Sequence, residues 1–248
     1  SRVIDLDVIR GAGLKIGVDP MGGSGVAYWA PFAERTGVAV EVVNEKYGGV
    51  DVLINNAGYA VYGAVEDTAV DDARHQFEVN LFGLGALTQK LLPRMREKKS
   101  GRIINISSMG GKIYTPLGAW YHASKHALES WSDCLRFEVK RLGIDVVVIE
   151  PGLIATEFGD VMYQPMMERS GNGAYGNLAN SVAKATKESY KEDNATPPSA
   201  IAEVISKAVK SRKPKTRYAA GKMAKLMIFL RKYLSDRMFD KALEGQVK

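Results

Sequence analysis

Ser108, Tyr121 and Lys125 are spaced as Ser-x12-Tyr-x3-Lys. On a helix, Tyr121 and Lys125 share one face, one turn apart. A phenol with a pKa of about 10 transfers protons poorly at neutral pH, and a neighbouring ammonium favours the phenolate and lowers that pKa. A hydroxyl from a preceding strand end can then hold a substrate oxygen beside the phenol. Together the three groups make a proton-transfer site for an alcohol/ketone pair. No side chain carries a hydride, so such a site calls for a redox cofactor. Taken alone, Tyr and Lys at i, i+4 also describe an ordinary helix face, and the surrounding residues decide between the two.

Apolar periodicity places strands at 14–18, 38–43, 51–55, 102–107, 144–149 and 216–219, and helices at 26–36, 66–97, 118–142 and 197–211, the second with a break. Strands and helices alternate, and the strands are nearly continuous apolar runs. The pattern predicts an α/β fold with a parallel sheet covered on both faces. Ligands of such sheets bind at the carboxyl ends of strands. Asn55-Asn56-Ala57-Gly58 follows Val52-Leu53-Ile54, Ser108 follows the strand 102–107, and Pro151-Gly152 follows Val146–Ile149. Thr156 completes Pro-Gly-x-x-x-Thr, and Asn80 stands in Glu78-Val79-Asn80-Leu81 on the second helix.

In these motifs, in this order, the chain resembles the short-chain dehydrogenase/reductase family from about residue 45 to the C-terminus. That family's signature is Tyr-x-x-x-Lys with a Ser thirteen residues before the Tyr, which selects Ser108 over Ser107. The resemblance implies a Rossmann-like doubly wound sheet in three layers. It also implies an NAD(P)-dependent oxidoreductase that interconverts a carbonyl and a secondary alcohol. Tyr121 would be its acid/base, and Lys125 would lower the Tyr121 pKa and hold the nicotinamide ribose. Ser108 would orient the substrate oxygen, and Asn80 would support a water-linked proton path. Asn56, Ala57 and Gly58 would line the adenosine-ribose side of the cofactor. Pro151, Gly152, Ile154 and Thr156 would line the nicotinamide side. By the same resemblance the protein is expected to be a homo-oligomer joined through the long helices near 80–97 and 118–142.

The N-terminus departs from the family. No Thr-Gly-x-x-x-Gly-x-Gly precedes Asn55; instead Gly17-Val18-Asp19-Pro20 leads into Met21-Gly22-Gly23-Ser24-Gly25. The segment reads as strand, glycine loop, helix, strand. From Val8 to Glu45 it resembles a phosphoglucomutase-type sugar phosphomutase, without that enzyme's phosphoserine or metal loop. The expectation is a chimera: one Rossmann-like domain over 1–248, with an atypical βαβ segment at 1–44 and a dehydrogenase-like body at 45–248. Two further readings stay open. One is a catalytically inactive scaffold lacking a competent dinucleotide site. The other is an anion or sugar-phosphate binder using Gly22 to Gly25 as a nest. Asn44, Glu45 and Lys46 occupy the place of the residue that selects between cofactors and point both ways, so the cofactor is NAD or NADP.

The chain of 248 residues, 46% hydrophobic and 25% charged, has the composition of a globular domain with a full core. No Cys/His cluster has metal-ligand spacing, so no metal is expected. The lone Cys134 is expected to be a small buried side chain, and His75, His122 and His126 to be surface or satisfied helix residues. With no apolar leader visible at Ser1 and no membrane-length apolar run, a cytoplasmic location is expected. Residues 156–197 look less regular and match the family's substrate lid. Met162, Tyr163, Met166 and Met167 suggest an apolar small-molecule substrate or, equally, helices packing over the core. From Lys207 to Lys248 thirteen Lys/Arg face three Asp/Glu, a tail of +10 against a chain total of +6. Met223, Leu226, Met227, Leu230, Tyr233 and Leu234 recur there at helical spacing. Such a basic amphipathic helix suits packing beside the cleft or a sister subunit, or peripheral contact with an anionic membrane. No aromatic-interleaved basic sheet face appears, so nucleic acid is not an expected partner.

Overall fold

The computed structural model describes residues 16–17, 50–191 and 194–245. The expected helix 26–36, the strand 38–43, the Gly22–Gly25 loop and residues 44–46 lie outside the described residues. Among these, five strands form one parallel sheet in the order β1-β2-β3-β4-β5: β1 (Ile16–Gly17), β2 (Val52–Asn55), β3 (Gly101–Ile106), β4 (Ile144–Pro151) and β5 (Arg217–Ala220). The α/β class and the parallel sheet expected from the apolar runs are therefore present.

The period of two along each strand sorts the core into two faces. Leu53, Ile103, Ile144 and Val146 pack against Leu87, Leu91 and Met95 of α2 (Leu84–Lys98) and against Leu135 and Val139 of α3 (Ala119–Val139). Val52, Ile104, Val147 and Ile149 face the other way. They pack on Ile201, Val204, Ile205 and Ala208 of α6 (Pro198–Lys210). Each fully buried Leu, Ile or Val contributes about 1.5–3 kcal/mol, and residues buried on both faces explain why these strands read as unbroken apolar runs. Arg102 closes the second layer: its guanidinium donates to the Ala208 carbonyl at the α6 C-terminus (2.8 Å) and to Asp145 (2.7 Å), a cation placed where the helix leaves carbonyls unpaired.

The strand ends are held level by a buried polar chain. Asn55 Nδ2 donates to Asn105 Oδ1 (2.8 Å) and to Thr88 Oγ1 (3.3 Å), Asn105 Nδ2 donates to Ser132 Oγ (2.9 Å), and Ser132 Oγ donates to the Leu128 carbonyl (2.6 Å). Asn55 and Asn105 are register partners on neighbouring strands. The chain thus fixes α2 and α3 against the sheet at the level where the strand-end loops leave it.

Several elements differ from expectation. The helix expected at 66–97 is α1 (Val70–Phe77), a π-helical segment (Glu78–Gly83) and then α2. Residues 156–197 are more regular than they read: α4 (Phe158–Ser170) and α5 (Gly176–Ser189) pack on each other. Pro165 inside α4 and the glycines between the two helices obscure the periodicity that Phe158, Met162 and Met166 carry. Cys134 is exposed, because the neighbouring Leu135 takes the core-facing position on α3. The C-terminal stretch holds two helices, α7 (Ala224–Tyr233) and α8 (Asp236–Glu244). Met223, Met227, Leu230 and Leu234 pack on Ile113 and Phe239, whereas Leu226 and Tyr233 point outward.

The end of β4 depends on a close backbone approach. A Cβ on Gly152 would lie 2.0 Å from the Lys222 carbonyl oxygen and 2.9 Å from the Ala224 nitrogen, both immobile backbone atoms. Gly152→Ala is expected to cost about 2 kcal/mol or more, read as a lower urea midpoint. An unchanged midpoint would refute this account of the β4–β5 junction.

Candidate functional site

The loops after β2, β3 and β4 emerge on one edge of the sheet, and α3 runs beneath that edge. Tyr121, Ser124 and Lys125 occupy the first two turns of α3, and all three are buried. Ser108 caps the 3₁₀ turn Met109–Gly111, its Oγ accepting from the Gly110 N–H (3.0 Å). Lys125 Nζ donates to the carbonyl of Ile106, the last residue of β3 (3.0 Å).

Asn80 joins the second loop to this turn. Its side chain is wholly buried; Oδ1 accepts from the Tyr59 N–H (3.0 Å), while Nδ2 donates to the Tyr59 carbonyl (2.9 Å) and to Ser124 Oγ (3.0 Å). The amide therefore clamps the chain just past Asn56-Ala57-Gly58. It lies in the π-helical segment, where one extra residue per turn changes which side chains face inward. Gly58 rests directly over the clamp: a Cβ there would come 3.2 Å from Asn80 Oδ1 and 3.4 Å from Lys125 Nζ. Asn56, Ala57 and Gly58 are exposed at the sheet edge.

Ser124 and Gln76 were not singled out in the sequence. Gln76 accepts from the Val61 N–H and donates to Ser124 Oγ (3.4 Å), and Ser124 Oγ donates to the Tyr121 carbonyl (2.8 Å). Ser124 thus receives both Asn80 and Gln76. The available signal was its place between Tyr121 and Lys125 on a helix whose neighbouring faces are apolar. Tyr62 was missed as well. It packs 5.9 Å from the Tyr121 ring in a cluster with Met162, Met166 and Phe158.

The electrostatics differ from the sequence expectation. Burial raises the Tyr121 phenol above its ordinary value, and the Ser108 hydroxyl beside it offsets part of the rise. In this geometry the Lys125 ammonium is turned to the Ile106 carbonyl and is itself desolvated, and burial is the largest influence on the phenol. Burial brings Lys125 down to about 8, with Glu129 one turn further on pulling it back up. Glu129 is buried and pairs through Oε2 with Arg217 (3.0 Å) and Lys112 (2.9 Å).

Of the remaining expected residues, Pro151 and Gly152 lie at the adjacent strand end. Ile154 is bridged to Thr196. Thr156 is exposed, accepts from the Phe158 N–H (3.4 Å) and lines a depression with Lys187 and Tyr190. Phe158 in turn packs 5.8 Å from the Tyr121 ring. The site residues therefore fall into a tight group (Gly58, Asn80, Ser108, Tyr121, Lys125) and a flanking loop (151–156).

His122 holds the Ser108 loop. Its Nδ1 is 2.9 Å from the Gly110 carbonyl and its Nε2 accepts from the Thr115 N–H (3.0 Å). A carbonyl on one nitrogen and an N–H on the other select the neutral Nδ1–H tautomer. Burial lowers its pKa from 6.5 to about 4. Because the folded value is depressed, stability from neutral His122 is complete above pH 6.5 and is lost as the pH falls through about 4. His122→Asn is expected to be less stable at pH 7 but to lose less melting temperature over that acid window. Parallel pH profiles for the two proteins would refute the assignment.

Comparison with known proteins places these observations in context. The sequence profile of the short chain dehydrogenase family matches residues 33–165. An uncharacterized oxidoreductase of Schizosaccharomyces pombe is 36% identical over 202 residues, 81% of this chain and 83% of its own. The crystal structure of a short-chain dehydrogenase from Streptomyces avermitilis superposes with a TM-score of 0.73 at 27% identity, covering 98% of this chain and 93% of that one. The same fold appears, at 21% identity in both cases, in two further structures. One is a serine dehydrogenase complexed with NADP+ (TM-score 0.69; 88% and 89% covered), and the other a family protein of Burkholderia phymatum in complex with NAD (0.63; 98% and 81%). The profile reaches back to residue 33, inside the stretch 8–45 expected to be of phosphomutase type, and these comparisons give neither that expectation nor a chimera any support. A profile match over more than half of the chain, together with a relative alike along four-fifths of both sequences, shows that this protein belongs to the short-chain dehydrogenase family.

Proposed function

We propose that the protein is an NAD(P)-dependent oxidoreductase that interconverts a carbonyl compound and a secondary alcohol. The observation that carries this reading is the convergence of Ser108, Tyr121, Lys125 and Asn80 at the carboxyl ends of adjacent parallel strands, where open α/β sheets bind ligands. The described residues fit a dinucleotide. Gly58 leaves room that a Cβ would fill above Asn80 and Lys125, and the loop 56–58 is exposed at the sheet edge. Asn56, Ala57 and Gly58 would hold the adenosine-ribose side, and Pro151, Gly152, Ile154 and Thr156 the nicotinamide side.

When bound, the nicotinamide supplies or accepts the hydride. The chain's own residues manage the oxygen and its proton. In reduction, Tyr121 Oη donates a proton to the substrate oxygen while the Ser108 hydroxyl orients that oxygen. Burial keeps the phenol protonated at neutral pH, which suits the acid role. Lys125 would hold the nicotinamide ribose, and Asn80 supports reprotonation of Tyr121 through water. In oxidation the same groups act in reverse. The cluster of Tyr62, Phe158, Met162 and Met166 around Tyr121 supports an apolar substrate. Phe82 and Phe137, 54% and 82% exposed on the π-helical segment and α3, support a homo-oligomer built on those helices.

Tyr121→Phe is expected to lower turnover of a carbonyl substrate by about a hundredfold to ten-thousandfold while leaving the melting temperature near that of the parent. Near-normal turnover would remove Tyr121 from the acid/base role. Titration with NADPH and separately NADH, followed by nicotinamide fluorescence and tryptophan quenching, is expected to show saturable binding of one of them. Folded protein that binds neither would overturn the oxidoreductase reading in favour of an inactive scaffold.

A further inference from the structure

Helix α7 carries apolar side chains on two adjoining faces. Ala224 and Met227 are buried, and Met227 packs with Phe239 and Leu243 of α8 against Ile113, in the segment that follows Ser108. Turned away from that core, Leu226, Phe229 and Tyr233 are 51%, 58% and 64% exposed. At 3.6 residues per turn these three fall within an arc of about 60°, a continuous stripe on the outermost face. Phe229 and Tyr233 stack with ring centroids 4.7 Å apart, and Met238 at the start of α8 is 56% exposed. A helix that only shields the core has polar residues in these positions.

Charge identifies the occupant of this face. Lys225, Lys232, Arg237 and Lys241 are exposed on the same helix pair and form no ion pair among the described residues. Two of the pair's carboxylates are already engaged: Asp236 by Arg231 (2.9 Å) and Asp240 by the Tyr114 hydroxyl (2.7 Å). Glu244 lies at the far end of α8. A second copy of the chain meeting this face across a two-fold axis would set lysine against lysine. A single-helix stripe also falls short of the roughly 800 Å² per partner that a stable protein interface buries. A surface that is hydrocarbon beneath and negatively charged above meets neither objection: aromatic and aliphatic side chains enter the acyl boundary while lysines reach the headgroups.

We propose that the outer face of α7, with Leu226, Phe229 and Tyr233 as apolar anchors and Lys225 and Lys232 beside them, docks the protein on an anionic phospholipid surface. On its inner side the same helix packs through Met227 on Ile113, in the segment that follows Ser108. The proposal does not depend on the oxidoreductase reading, because its test involves no turnover.

The full chain is sedimented with vesicles of phosphatidylcholine plus phosphatidylserine, and with vesicles of phosphatidylcholine alone. Binding is expected only to the anionic vesicles, and is expected to weaken with added salt. Phe229→Ser should weaken it about tenfold, and Lys225→Glu with Lys232→Glu by at least that much, all with unchanged melting temperatures. Equal sedimentation of parent and Phe229→Ser would overturn the proposal, as would binding indifferent to headgroup charge. Self-association without vesicles that Phe229→Ser abolishes would identify the face as a protein contact and equally overturn it.

Discussion

Much of this molecule depends on a requirement that buried amides be fully hydrogen-bonded. Asn55, Asn80 and Asn105 are all nearly or wholly shielded from water, and an unpaired amide there would cost about 1–3 kcal/mol. Among the described residues, their partners belong to other elements. Satisfying Asn55 and Asn105 ties two strands to α2 and α3, and satisfying Asn80 ties a loop to α3. Hydrophobic burial gives the layers their adhesion but not their relative rotation. The amides supply that rotation, because a slip of one residue would leave each of them unpaired.

The tyrosine–lysine turn inherits its position from this arrangement. Ser124 sits between Tyr121 and Lys125 and accepts from the Asn80 and Gln76 amides, so the first turns of α3 cannot rotate independently of the loop after β2. The acidic and basic groups behind the turn extend the same logic. Arg217 on β5 reaches Glu129 and Asp133 of α3 (3.0 and 2.7 Å) and lies 3.4 Å from Glu150 of β4. With Glu129 crowded beside it, burial pushes Glu150 up to about 7. The site therefore rests on two polar supports, a neutral one beneath the loops and a charged one beneath the far end of the sheet.

The parts of the fold legible in the sequence were those governed by short-range periodicity. Val146–Ile149 and Ile103–Ile106 read as strands because residues buried on both faces leave no polar alternation, and Asn56, Ser108 and Pro151 are marked as candidates by their positions at the ends of such runs. What escaped notice depends on contacts distant in sequence. Ser124 gains its importance only when Asn80 and Gln76 arrive, and nothing local announces a π-helical segment at Glu78–Gly83. Local reasoning predicted that Lys125 would lower the Tyr121 pKa because the two are one turn apart. Burial, a tertiary effect, raises the phenol instead. Cys134 is exposed for a simpler reason: the larger apolar neighbour, Leu135, takes the inward position.

The π-helical segment has a consequence for how the protein can change. Loops on this sheet edge can accept added residues without disturbing the core. The stretch from Glu78 to Gly83 cannot lose one so freely. Removing a single residue would restore ordinary helical winding with little net rotation of α1 against α2, because the wide turn takes up its extra residue locally. The apolar stripe of α2 would keep its place on the sheet, and the Asn80 amide would lose its seat against Tyr59 and Ser124. The helix can therefore shorten here without unfolding the layers, and the extra residue answers to the clamp alone.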